Sequence, residues 1–94
     1  MIIHIVLLNP KPEITPDEMQ QVLTQVQTLQ HSIPGIVDVQ TGVNSSINHQ
    51  GYTYGFIMRF VDEEHLKAYA PHPAHRVVSD EIRRVSSQVI DFDL

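Results

Sequence analysis

The chain has 94 residues, 41% hydrophobic and 18% charged, with no cysteine and a formal net charge of -5. That length is one domain, residues 1–94, which buries only about 60–65% of its unfolded surface. The lack of cysteine excludes disulfides, zinc–thiolate sites and thiol nucleophiles. Six Lys and Arg against eleven Asp and Glu argue against a nucleic-acid or anionic-membrane partner.

Ile2 to Leu8 is apolar and β-branched with one histidine, His4, inside it, and reads as a buried strand. Its apolar run, Ile5 to Leu8, is too short for a signal-peptide core or a membrane span, so a cytoplasmic protein is expected. Thr15-Pro16-Asp17-Glu18 is a helix start: an N-cap, a proline in the first turn and a capping-box glutamate. Met19, Val22, Leu23, Val26, Leu29 and Ile33 follow on one helical face, and Pro34-Gly35 ends the helix. Ile36 to Val43 is a second strand, in which alternation puts Val37, Val39, Thr41 and Val43 on one face. After a polar loop, Tyr52 to Val61 is a third strand, with Tyr54, Phe56, Met58 and Phe60 on one side and Ile57, Arg59 and Val61 on the other. Asp62 caps a short helix that Pro71 stops. Pro73 opens the next helix with His72 as its N-cap, and His75, Val78, Ile82 and Val85 form its apolar stripe. Val89 to Leu94 is a last strand.

The order βαββ(αα)β is the split βαβ pattern of ferredoxin-like α+β folds, a four-stranded antiparallel sheet with helices on one face. The first and third strands are apolar on both faces, and the helices cover only one. A second copy is the simplest cover for the other, so a homodimeric barrel is expected. Its seam would hold Ile3, Ile5, Leu7, Ile57 and Val61, with His4 and Tyr54 turned toward the helices.

The densest chemistry is in YAPHPAH, residues 69–75. His75 stands on the apolar stripe where the pattern calls for Leu or Val, at the helix N-terminus, where the dipole disfavours imidazolium. A neutral, base-competent ring is expected there. Tyr69 faces inward by helical spacing and can approach it around the two prolines. The bland alternative is a structural hydrogen bond between the two. His-x-x-His is also a metal-ligand spacing, but His72 is committed as a cap and no carboxylate lies nearby in sequence. No metal and no cofactor are expected. His4, alone in an apolar strand, reads more readily as a satisfied core histidine than as a catalyst, and His31, His49 and His65 read as exposed.

The segments HIVLL, IPGIVDVQTGVN, GYTYGFIMRFVDEEHLKAY, HPAH and VIDFDL resemble the stress-responsive α/β-barrel (Dabb) family across essentially the whole chain. The resemblance implies a ferredoxin-like homodimer. Most members of the family have no established activity, and one plant branch contains a cofactor-free enzyme that closes a linear tetraketide by aldol condensation. Matched to that branch, Tyr69 and His75 fall at the catalytic tyrosine and histidine, and His4 at a supporting strand histidine. Tyr54 falls where that branch has a further pocket histidine, a departure, since a tyrosine is bulkier and is no base near neutral pH. Two readings follow. One is a cyclase- or lyase-like enzyme on a small oxygenated, aromatic or polyketide-like compound, with His75 and Tyr69 catalytic and His4 and Tyr54 binding substrate. The other is a non-enzymatic, stress-associated or ligand-binding dimeric domain.

Overall fold

A computed structural model describes residues 1–94. Strand β1 (Ile2–Pro10) lies inside a four-stranded sheet of order β2-β3-β1-β4, with β2 at Ile36–Val43, β3 at Tyr54–Phe60 and β4 at Ser86–Asp93. Every neighbouring pair is antiparallel. Helices α1 (Pro16–Ser32), α2 (Glu63–Tyr69) and α3 (Pro73–Val85) complete the chain. No helix is long and apolar enough to cross a membrane.

The helix starts follow their local chemistry. Thr15 Oγ1 accepts from the Glu18 N–H, and the Glu18 carboxylate accepts from the Thr15 N–H, a complete capping box. Asp62 accepts from the His65 N–H at the start of α2. His72 Nδ1 accepts from the Ala74 N–H at 3.1 Å at the start of α3. Between α1 and β2, Gly35 adopts φ +91°, a conformation that strains any L side chain. A Cβ there would also lie 2.4–2.5 Å from the His65 ring, so glycine lets α2 close against this turn.

Strand parity sorts the two faces. His4, Val6 and Leu8 lie opposite Met58, Phe56 and Tyr54. This row, with Phe60, packs against Met19, Val22, Leu23, Val26 and Leu29 of α1 and Val78, Ile82 and Val85 of α3. Ile3, Ile5 and Leu7 face away from the helices. On that open face Ile57, Ile90 and Phe92 are 37%, 44% and 56% exposed, an apolar surface that nothing in the protomer covers.

Two details depart from the simple pattern. In β2, Ile36 lies opposite Phe60 and Asp38 opposite Arg59, which leaves Val37 as an extra residue in a bulge. Ile36 therefore joins Val39 on the core side, and Val37 does not share the face of Val39 as strict alternation requires. On the open side, Arg59 makes a forked ion pair with Asp38. The last strand also begins earlier than its apolar residues suggest. Ser86 ends α3, donating its N–H to the Ile82 carbonyl, and at once lies opposite Pro10 in the sheet. Backbone pairing along β1 recruits Ser86–Gln88 where side-chain polarity alone indicates only a lead-in.

Candidate functional site

The corner between α2 and α3 brings Tyr69 and His75 together. Tyr69 is the last residue of α2, and its carbonyl accepts from the His72 N–H at 3.1 Å. Pro73 then starts α3 with φ already helical, and His75 sits in its first turn. The two rings pack with centroids 4.3 Å apart at 55°. They meet ring on ring, and no hydrogen bond joins the side chains. His75 instead bonds the backbone: its Nδ1 lies 2.9 Å from the Ala70 carbonyl. A carbonyl can only accept, so Nδ1 carries the proton and Nε2 of the neutral ring keeps a free lone pair.

Burial holds the His75 imidazole below its ordinary pKa, and the positive charges that His4 and Arg83 can carry push the same way. The bond to Ala70 and the charge of Asp91 oppose this. Tyr69 is 5% exposed, and burial, reinforced by Asp91, raises its phenol far above the ordinary value. It is a permanent donor at neutral pH. Its hydroxyl has no partner within the chain and is not sealed in the core.

His4 reaches the same place from β1. It is 8% exposed and packs edge-on against Tyr69, with centroids 5.8 Å apart, and against Phe56 and Phe60. Its Nδ1 lies 2.5 Å from Asp93 Oδ1, directly across the β1–β4 pair. His4, Tyr69 and His75 line one cleft of ≈ 540 Å³, together with Ser79, Arg83 and Asp91 and the apolar walls Val6, Phe56, Ile82 and Val89.

Tyr54 is not among the lining residues. It is level with Leu8, four residues along β1 from His4, which is about 13 Å at strand rise, and it packs on the core instead. His31 and His49 are exposed, as expected from the sequence. His65 is only half-exposed and pairs with Asp62. No three His, Asp or Glu side chains converge as metal ligands would.

Asp91, Asp93, Ser79 and Arg83 escaped the reading of the sequence. The acid that follows His75 most closely in sequence, Asp80, does not line this cleft; β4 supplies Asp91 from sixteen positions away, opposite Val6. A signal existed. In VIDFDL the apolar Ile90, Phe92 and Leu94 alternate with Asp91 and Asp93, so placing the apolar set on the open face turns both acids toward the helices.

An antiparallel βαββααβ sheet with one face open and a Tyr–His cleft under its helices defines a ferredoxin-like domain of the α/β-barrel class. The chain belongs to the stress responsive A/B barrel domain family, whose model matches residues 2–94. It is 29% identical over 92 residues to olivetolic acid cyclase of Cannabis sativa, covering 96% of this chain and 91% of that one. Among solved structures it is similar to a protein of Arabidopsis thaliana, at TM-score 0.93 and 25% identity, over 100% of this chain and 93% of that chain. It is also similar to a dimeric ferredoxin-like protein of unknown function from Jannaschia sp. CCS1, at TM-score 0.87 and 26% identity, over 99% and 96% of the two chains.

Proposed function

We propose that this protein is a homodimer that binds a small oxygenated compound in the His4–Tyr69–His75 cleft, and that His75 acts there as a cofactor-free general base. The carrying observation is the His75 ring, with Nδ1 held by the Ala70 carbonyl, Nε2 free and protonation disfavoured by burial. In this reading Nε2 takes a proton from carbon next to a carbonyl. The electron pair of that C–H bond moves to the carbonyl oxygen, and the Tyr69 hydroxyl donates to the enolate so formed. The imidazolium then returns its proton to carbon or oxygen, or the enolate attacks a second carbonyl as in a cyclase. His4, oriented by Asp93, borders the same space. Tyr54 would serve substrate binding only through a ligand extending beyond the cleft. General-base catalysis supplies about 10²–10⁴-fold, enough for an activated C–H bond. Likeness to a cyclase and the dimeric state of a related structure support both halves of the reading.

Phenylacetone, whose CH2 lies between a ring and a carbonyl, is a direct probe. The parent protein should accelerate deuterium uptake at that carbon, and His75→Ala should lose the acceleration. Tyr69→Phe should keep part of it. Equal exchange by parent and His75→Ala would sink the base assignment. Binding in the cleft without exchange would instead favour the binding-only domain.

A further inference from the structure

The cleft does not end at His75. A second hollow of ≈ 330 Å³ lies against the same helix, bounded by Ala70, Arg76 and Asp80. The two hollows share His75, Ser79 and Arg83. Those three residues recur every four positions along α3, so they form one line on its surface, with Ile82 on the inner side and Arg76 and Asp80 on the outer.

Charge is distributed unevenly across this line. Arg59 is paired with Asp38 and Arg84 with Glu81, but Arg83 and Arg76 have no ion-pair partner. Asp91, on the inner wall, has none either. An unpaired guanidinium at the edge of a cavity keeps its fork of N–H donors for a ligand, and the ligand group matching that fork is a carboxylate. The chain as a whole is negative, yet screening confines remote charges to about 8–10 Å, so the adjacent arginines outweigh the distant acids. The outer hollow holds Arg76 and Arg83 against Asp80; the inner shares Arg83 and adds Asp91, as its one acid, to His4, Tyr69 and the apolar walls.

Resting on the reading of this cleft as the ligand site, we propose that it selects small hydroxylated monocarboxylic acids. The carboxylate lies on Arg83, with Arg76 and the Ser79 hydroxyl beside it. The apolar body lies against Phe56 and Ile82, and a hydroxyl at the far end donates to Asp91. The reverse orientation sets two carboxylates together and is rejected. Arg83 and Asp91 are thus specificity residues, and His75, on the shared line, stands beside the carbon next to the bound carboxylate.

Three probes test this by titration calorimetry. They are 3-hydroxybenzoate, its neutral analogue 3-hydroxybenzamide, and isophthalate, which carries a second carboxylate in place of the hydroxyl. The parent should prefer 3-hydroxybenzoate to the amide by about tenfold, and Arg83→Gln should abolish that preference while leaving amide binding unchanged. Asp91→Asn should raise isophthalate affinity by about tenfold. Neither side chain makes an ion pair in the protomer, and circular dichroism checks that both variants keep the fold. Equal binding of acid and amide to the parent, or an equal loss of both in Arg83→Gln, overturns the charge selection and leaves the cleft reading standing. If no probe binds, or if His75→Trp leaves binding untouched, the cleft is not the site and both readings fall.

Discussion

At His75 a single backbone bond decides which nitrogen can act. Nδ1 is committed to Ala70, so Nε2 is the only basic atom, and burial keeps it unprotonated to lower pH than in an open chain. The groups that bear on it come from four elements: Tyr69 on α2, Arg83 on α3, His4 on β1 and Asp91 on β4. The sign of the pH effect follows. A folded-state pKa below the unfolded value, about 6.5, means that the folded state binds fewer protons in that range. This contribution to stability is intact above about pH 6.5 and is lost as pH falls through the folded value. Catalysed exchange should likewise hold level through neutrality and decline only below about pH 6.5. A pH–rate profile with its acid limb centred above that value contradicts the assignment. Denaturant melts from pH 7 to 5 should show a shallower fall for His75→Asn than for the parent.

Among the elements, the α2–α3 corner carries the most chemistry in the fewest residues. Pro71 follows α2 and Pro73 opens α3, and both remove N–H groups that a continuous helix would need. His72 answers one of the orphan donors of α3 through its Nδ1. Loss of a helix cap costs about 0.5–2 kcal/mol, so His72→Ala should lower unfolding stability by that amount. Because His72 does not line the cleft, ligand affinity should stay within about twofold of the parent. Urea denaturation and calorimetry on the same preparations separate the two effects. A large loss of affinity with no loss of stability would place His72 in the site rather than at the cap.

For the whole molecule, the open sheet face is the dominant feature. Ile57, Ile90 and Phe92 stand beside half-buried Ile3, Ile5 and Leu7, and a contiguous exposed apolar surface of this kind marks an interaction site. Two such faces packed together would bury it, as befits a small domain with a thin stability margin. Sedimentation at micromolar concentration should find a dimer. Ile57→Lys, on the open face and remote from the cleft, should shift it toward monomer while the helical signal is retained. A parent protein that sediments as a stable folded monomer would contradict the dimer.

Periodicity and punctuation in the sequence alone determined the element order, the helix caps at Thr15, Asp62 and His72, and the outward turn of Ile57; Val61, expected beside it, lies one residue past the end of β3. These follow from spacings of two and 3.6 residues and from local hydrogen bonds, which need no distant partner. The convergence of YAPHPAH into a tyrosine–histidine contact was legible for the same reason, since both residues flank one corner. Tertiary structure alone decided the rest. The bulge at Val37 arises because Ile36 must reach the core while Asp38 meets Arg59 across the pair. Tyr54, on the correct face, is carried past the cleft by the register of β3 on β1. Asp91 and Asp93 reach His75 and His4 only because β4 returns beside β1, a contact between opposite ends of the chain. Local pattern states which way a side chain turns; which residue it meets there depends on strand register, which long-range pairing sets.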